Sequence, residues 1–155
     1  MSTHFVHHLA TRLADPVDRE ALQHNRTGHQ PPAQRAWAWS DVRAARGCRL
    51  EVRHGIGLLT VTCPVLPDTF EECLGAFTTA LGLRLDRVVV DLTAATVDER
   101  SSAVLVAMAG AARRHGVQLW FVGLPVTGQL LLRRTPATGT VRFCPNRRAA
   151  LAQAG

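Results

Sequence analysis

Two adjacent serines, Ser101 and Ser102, stand at the start of an Ala-rich segment, SSAVLVAMAGAARRHG, directly after Asp98, Glu99 and Arg100. The alanine content and the apolar stripe of this segment predict a helix. A serine hydroxyl at the start of a helix accepts a hydrogen bond from a free backbone N–H, which contributes about 1 kcal/mol. From position alone, these serines are predicted to cap the helix.

Motifs of catalysis are absent from the sequence, which contains no P-loop, no Rossmann glycine pattern, no GxSxG elbow and no HExxH pair. Asp91, Asp98 and Glu99 could suggest a carboxylate cluster. Asp91, however, follows the run RVVV and is better explained as the end of a buried strand that orders the next loop. We therefore expect no enzymatic activity and no cofactor.

Cysteine and histidine residues give no metal-binding pattern. The four cysteines contain no CxxC pair, which argues against a zinc ribbon and is typical of small buried thiols in a reducing compartment. His4, His7 and His8 lie close together, but no cysteine or acid is near them. We expect no metal site. Because a signal-peptide pattern and a long apolar run are also missing, the sequence predicts a cytoplasmic protein.

All 18 basic residues are arginine, and they are unevenly distributed. Residues 113–155 contain seven arginines and no acid, whereas residues 50–112 contain four arginines and eight acids. A basic end could attract nucleic acid or an acidic protein surface. The arginines are scattered in pairs without interleaved aromatic residues, so a solvated basic face is the better explanation and we do not expect nucleic acid as a partner.

Strands and helices alternate in the second part of the chain. The predicted strands are Arg49–His54 and Ile56–Thr62, which form a hairpin, and Arg87–Leu92, Val117–Val122 and Val141–Cys144. The predicted helices are a segment from Asp68 or Thr69 to Leu81 with a capping box of Asp68 and Glu71, the Ala-rich segment, Gly128–Arg134, and a terminal helix capped by Asn146.

The order β-β-α-β-α-β-α-β-α predicts an α/β domain over residues 48–154, with a four-to-five-stranded, mostly parallel sheet and an antiparallel edge hairpin. Residues 1–47 have the composition of a partly flexible N-terminal extension and linker, with a short helix predicted at Asp15–Gln23. Trp37 and Trp39 in this segment either dock on the domain's own sheet, which we favour, or anchor a partner.

Three segments together resemble the STAS family, the sulfate-transporter and anti-sigma-factor-antagonist domain. RVVVDLTAAT is similar to the family's VVxDLSGVxF strand and loop, and ERSSAVLVAMAGAARRHGVQLWFVGLP is similar to its DSSGLGxLL helix followed by GGxLxLVG. VRFCPNRRAALA is similar to its final strand, short loop and helix. The resemblance implies a STAS-like fold.

The resemblance also implies a function, that of an anti-sigma factor antagonist which binds an anti-sigma factor that is a serine kinase. In the family, the kinase phosphorylates the second serine of DSSG. Aligned without a gap, that serine is Ser101, and a shift by one residue selects Ser102 instead. The implied partner interface comprises Asp98, Glu99, Arg100, Ser101 and Ser102.

This chain has ERSS where the family has DSSG, which leaves a second interpretation open. The protein would then be a non-phosphorylated STAS scaffold, or a subunit of a signalling or lipid-transport assembly. Under both interpretations we expect a protein partner and no membrane insertion, and association into a homodimer is left open.

Overall fold

Six strands form one sheet within residues 39–136, 139 and 141–152, which this computed structural model describes. In chain order they are β1 (Ser40–Ala45), β2 (Cys48–Arg53), β3 (Ile56–Val61), β4 (Arg87–Asp91), β5 (Gln118–Val122) and β6 (Val141–Cys144). They lie side by side in that same order. The pairs β1–β2 and β2–β3 are antiparallel, and the pairs β3–β4, β4–β5 and β5–β6 are parallel. The sheet is therefore mixed, with an antiparallel edge, as an α/β protein with an opening hairpin requires.

The helices of the described segments cover both faces of this sheet. They are α1 (Glu71–Gly82), α2 (Ser102–Arg114), α3 (Val126–Arg133) and α4 (Arg147–Ala152), and a 3₁₀ turn, Glu99–Ser101, precedes α2. Buried side chains of α1, α2 and α3 belong to one hydrophobic cluster, whereas Ala150 of α4 belongs to a second cluster. The three longer helices thus share one face, and the short α4 packs on the other.

The sequence of β4 is apolar at successive positions because both faces of the strand are covered. Val88 and Val90 are buried in the cluster beneath α1–α3, and Val89 between them is buried in the cluster beneath α4. Successive side chains of a strand point to opposite faces, so a strand covered on both sides must be apolar at every position. The predicted doubly buried strand is confirmed.

The predicted hairpin is also confirmed, with its turn at His54 and Gly55. Both residues have positive φ angles, 49° and 75°. Two-residue turns with positive φ at both positions match the right-handed twist of antiparallel strands, and glycine adopts that conformation without a steric penalty. The turn places β2 and β3 in the register that pairs Arg53 with Ile56.

The predicted count of four to five strands is wrong, and so is the predicted order with two strands before the first helix. β1 precedes residue 48 and lies in the segment that we assign to the linker from the sequence, so three strands come before α1. None of the side chains of β1 is fully buried, so its sequence carries no strong apolar alternation. Its backbone is nevertheless paired with β2 from Ser40 to Ala45, with an irregularity between Asp41 and Arg43. An edge strand gains stability from main-chain hydrogen bonds that no side-chain pattern reveals.

Trp39 packs against the cluster beneath α4, with the Arg53 guanidinium carbon 6.0 Å from its ring centre. For Trp39, the prediction that the side chain packs on the sheet of its own domain is therefore confirmed. Trp37, the predicted helix Asp15–Gln23 and the histidines at positions 4, 7 and 8 lie outside the described residues.

The helix ends agree only in part with the sequence-based predictions. The Asn146 side chain accepts a hydrogen bond from the Ala149 N–H at 2.8 Å, as predicted for the cap of α4. The predicted capping box of Asp68 and Glu71 is wrong, because α1 begins two residues later and its N-cap, Phe70, makes no side-chain cap. The Phe70 N–H bonds instead to the Leu66 carbonyl at 2.9 Å, so a tight turn occupies the place of the expected first helical turn.

Candidate functional site

The loop from residue 92 to residue 98, between β4 and the 3₁₀ turn, is held by hydrogen bonds from several directions. The Leu92 N–H donates to the Val122 carbonyl at 2.8 Å, which ties the start of the loop to β5. The Val65 N–H donates to the Thr96 carbonyl at 2.9 Å, which ties its centre to the segment after β3. The loop is therefore fixed on both sides before it reaches the candidate site.

Asp91, at the end of β4, orders the first residues of this loop. Its Oδ1 accepts hydrogen bonds from the Thr93 N–H at 3.0 Å and the Thr93 hydroxyl at 2.6 Å, and its Oδ2 accepts one from Arg147 Nε at 3.0 Å. Burial acts to raise the pKa of the Asp91 carboxyl group, but the hydrogen bonds from Thr93 and Arg147 outweigh it and lower that pKa. The interpretation of Asp91 as a strand end that orders the loop, and not as a member of a carboxylate cluster, agrees with these contacts.

Asp98 and Ser101 form a reciprocal capping box around the 3₁₀ turn. The Ser101 hydroxyl accepts a hydrogen bond from the Asp98 N–H at 3.0 Å, and Asp98 Oδ1 accepts one from the Arg100 N–H at 2.8 Å. Such pairs satisfy backbone donors that have no partner inside the helix. Ser101 is 0% exposed, so its hydroxyl is enclosed as well as hydrogen-bonded. The predicted cap on α2 itself is wrong, because the Ser101 side chain accepts no N–H of that helix and the Ser102 hydroxyl donates to the Glu99 carbonyl. Ser101 instead completes the cap of the preceding 3₁₀ turn.

The charged residues of the turn lie at the surface. Asp98, Glu99 and Arg100 are all exposed, and Arg100 Nη2 donates to Asp98 Oδ2 at 2.9 Å. The hydrogen bond from the Arg100 guanidinium is the main cause that lowers the pKa of the Asp98 carboxyl group. The Asp98 carboxylate is thus engaged in hydrogen bonds with Arg100 of the same turn. The Glu99 carboxylate is exposed and does not take part in the capping box.

Ser102 differs from its neighbour in both contact and exposure. Its hydroxyl donates to the Glu99 carbonyl at 2.9 Å, and its side chain is half-buried. Of the five residues predicted for the interface, the structure places Asp98, Glu99 and Arg100 at the surface, Ser102 at its border and Ser101 inside. Ser101, the serine that the motif alignment selects for phosphorylation, is therefore the one enclosed residue of the five.

Two exposed apolar side chains on α3 were not predicted as site residues. Val126 and Leu130 of α3 are 68% and 46% exposed, and they are four residues apart and therefore on one side of the helix. α3 begins just after the carboxyl end of β5 and packs beside α2, and Gly123 before it lies against Thr93 of the loop. The spacing of Val126 and Leu130 could have revealed them, but the predicted helix began at Gly128 and left Val126 out.

Three of the seven arginines in residues 113–155 make contacts within the domain. Arg113 donates to the Pro136 carbonyl at 2.9 Å, the Arg133 guanidinium carbon lies 5.5 Å from the centre of the Phe143 ring, and Arg147 pairs with Asp91. Contacts of this kind are typical of a basic surface that stabilises its own domain. They agree with the solvated-face interpretation of the charge distribution.

No group of three or more histidine, cysteine, aspartate or glutamate side chains is arranged to hold a metal ion within the described ranges. None of the helices in those ranges has the length and apolar character needed to cross a membrane. In comparisons with known proteins, the chain matches no family model and no curated protein.

Proposed function

We propose that this protein is a protein-binding regulatory module of the STAS type, which docks on an anti-sigma factor through the turn Asp98–Ser102. The observation that carries the proposal is the capping box of Asp98 and Ser101, which holds the exposed Glu99 and Arg100 in a fixed position at the start of α2. A surface that is already ordered loses little conformational entropy when a partner binds, so more of the contact energy appears as affinity.

Val126 and Leu130 supply an apolar centre beside this charged turn. Protein interfaces combine a desolvated apolar core with a polar rim, and large exposed apolar residues are informative when they cluster. α2 and α3 pack side by side and both begin near the carboxyl edge of the sheet, so the two groups of residues belong to neighbouring parts of one surface. The proposed interface is therefore charged at the turn and apolar along α3.

Ser102 is the residue that we propose as the phosphoryl acceptor. A kinase must reach the acceptor hydroxyl, and the Ser101 hydroxyl is enclosed and engaged with the Asp98 N–H, whereas Ser102 reaches solvent. A phosphate adds about −1.5 to −2 charge. The positive end of α2 tolerates that charge locally, but a partner pressed against it does not. A loss of a few kcal/mol corresponds to roughly two to three decades of affinity.

Docking is tested by titrating the protein with a purified anti-sigma kinase in a calorimeter. Replacing Arg100 by Glu, or Glu99 by Arg, is expected to weaken binding by about tenfold or more, because a like charge is placed at a fixed contact. Arg148→Glu is the matched control, since Arg148 is an exposed arginine of α4 on the other face of the sheet. Equal affinities for all three variants and the unaltered protein would contradict the proposed interface.

The switch is tested by comparing Ser102→Asp with Ser102→Ala in the same titration. We expect Ser102→Asp to weaken binding and Ser102→Ala to leave it unchanged. Equal affinity of the two variants would rule out a switch at this residue. The same pair of substitutions at Ser101 is measured beside a circular dichroism spectrum, because an aspartate at a buried position is expected to unfold the turn.

The burial of Ser101 also favours a second candidate, a STAS scaffold that no kinase modifies. Incubation with ATP and anti-sigma kinases, followed by intact mass measurement, separates the two candidates. Addition of one phosphoryl group that Ser102→Ala abolishes supports the switched module. An unchanged mass in every kinase reaction supports the scaffold.

A further inference from the structure

Three of the four cysteines converge at one corner of the domain, although they are distant in sequence. Cys48 begins β2, Cys63 follows β3 and Cys73 lies in the first turn of α1. The Sγ atoms of Cys63 and Cys73 are 3.4 Å apart. The fourth, Cys144, is buried in the cluster on the opposite face of the sheet.

Gly47, in the turn between β1 and β2, permits this close approach. A Cβ atom built on Gly47 would lie 2.5 Å from Cys63 Cβ, and the φ angle of Gly47 is +82°. The Gly47 carbonyl accepts the Thr62 N–H at 2.8 Å and is 3.7 Å from Cys73 Sγ. One turn residue therefore positions both Cys63 and Cys73.

We infer that Cys63 and Cys73 are a redox modification site, at which a peroxide or a small-molecule disulfide converts the two thiols into a reversible intramolecular disulfide. Cys63 is the residue that the oxidant reaches, because it is partly exposed, whereas Cys73 is 0% exposed and Cys48 is buried. The two sulfur atoms are already in contact, so the bond requires only a small movement of the side chains.

With hydrogen peroxide the chemistry has two steps. The Cys63 thiolate attacks one peroxide oxygen, the O–O bond breaks, and the leaving hydroxide takes up a proton to become water, which leaves a sulfenic acid on Cys63. The Cys73 sulfur then attacks Cys63 Sγ, the S–O bond breaks, and the hydroxide takes up the Cys73 proton to become a second water. Two thiols are oxidised to one disulfide, and one peroxide is reduced to two waters.

The neighbouring Cys48 thiol, burial and the Cys63 thiol together raise the pKa of Cys73. Cys73 therefore stays a protonated thiol until its sulfur attacks. This arrangement makes Cys73 unreactive toward an oxidant by itself, which leaves the first step to Cys63.

The disulfide would close a loop that includes Val65, whose N–H bonds to the Thr96 carbonyl in the loop before Asp98. Cys63 is thereby linked to the segment before the charged turn, through Pro64, Val65 and the hydrogen bond from Val65 to Thr96. Closing this loop also restricts the unfolded chain, so the oxidised protein is expected to melt at a higher temperature.

The test starts from the fully reduced protein, treated in separate samples with hydrogen peroxide and with oxidised glutathione, and then alkylated and measured by mass spectrometry. Before alkylation we expect the intact mass to fall by two hydrogen atoms. After alkylation we expect two labelled thiols instead of four, a linked peptide of Cys63 and Cys73, and full reversal by dithiothreitol. Cys63→Ala and Cys73→Ala are expected to lose the linkage, and Cys144→Ala is expected to keep it.

A linked peptide of Cys48 and Cys73, a sulfinic acid on Cys63 without a disulfide, or four unchanged thiols in the folded protein would each overturn the assignment. Circular dichroism of each variant separates chemistry from misfolding. Cys63→Ala decides the result where Cys73→Ala does not fold, because Cys63 is partly exposed and its replacement removes less buried surface than that of Cys73.

Discussion

Arg147, the first residue of α4, forms an ion pair with Asp91 at the end of β4, with 3.0 Å between Arg147 Nε and Asp91 Oδ2. The second arm of the guanidinium, Nη2, donates to the Thr60 hydroxyl of β3 at 3.0 Å. The other carboxylate oxygen of Asp91 accepts both Thr93 hydrogen bonds. One carboxylate therefore joins the terminal helix, the sheet and the loop that leads to the candidate interface.

Replacing Asp91 by Asn is expected to lower the free energy of unfolding by about 1 to 2 kcal/mol. The substitution removes the negative charge that strengthens the hydrogen bonds from Thr93 and Arg147 to this side chain. Urea denaturation followed by circular dichroism measures the change. Asp41→Asn is the matched control, since the Asp41–Arg49 pair is exposed on both sides and exposed pairs contribute little. An equal loss of stability in both variants would show that Asp91 has no special role.

The same carboxylate predicts an acid-dependent loss of stability. The folded-state pKa of Asp91 lies below its ordinary value of 3.8, so the unfolded chain binds the proton more readily than the folded protein does. The stabilisation is therefore complete above that ordinary value and is lost as the pH falls through the folded-state pKa.

The melting temperature, measured from neutral pH to well below pH 3.8, is expected to fall less steeply for Asp91→Asn than for the unaltered protein. Asp98 and Asp41, whose pKa values are also lowered, remain in both proteins, so the difference between the two curves reports Asp91 alone. Two parallel curves would contradict the prediction.

β4 and α2 could be predicted from sequence most directly because their burial is extensive. β4 is enclosed on both faces and α2 along a whole stripe, so their apolar periods are unbroken. β1 could not be predicted, because its stability comes from backbone pairing with β2 and its side chains are at most half-buried. Local sequence patterns report side-chain burial and give little information about main-chain partners.

The candidate site shows the same limit. The position of Ser101 at the start of a helix was evident from the sequence, but its complete burial depends on the 3₁₀ turn and on the Asp98 N–H that its hydroxyl accepts. The contact of Cys63 with Cys73 depends on how β3, α1 and the Gly47 turn meet in space. Spacing along the chain excluded a CxxC pair but could not reveal this contact.

Gly123, which follows β5, is predicted to tolerate no side chain. Its φ angle is +73°, and a Cβ atom there would lie 2.9 Å from Thr93 Cα and 3.0 Å from Thr93 N, which are backbone atoms that cannot move aside. Gly116 has a similar φ of +67° but nothing within 4 Å of its Cβ position.

Gly116→Ala therefore incurs only the cost of left-handed backbone, about 1 kcal/mol, and Gly123→Ala is expected to cost at least about twice as much. The two variants have the same chemical change and differ in the neighbouring backbone, so chemical denaturation of the pair isolates the contact with Thr93. A smaller loss for Gly123→Ala than for Gly116→Ala would be inconsistent with the close approach.

Ser101→Ala is expected to lower the free energy of unfolding by about 1 to 2 kcal/mol, because it leaves the Asp98 N–H without its acceptor and opens the capping box. Ser102→Ala is expected to change it by less than about 0.5 kcal/mol, because its hydroxyl donates to a carbonyl at the border of solvent. Urea denaturation of both variants measures the two values, and equal losses would contradict the distinction between the serines. The stabilities also determine how the binding data are interpreted. A destabilised Ser101→Ala protein that fails to bind indicates that the conformation of the turn has changed. A stable Ser102 variant that fails to bind indicates the loss of a direct contact with the partner.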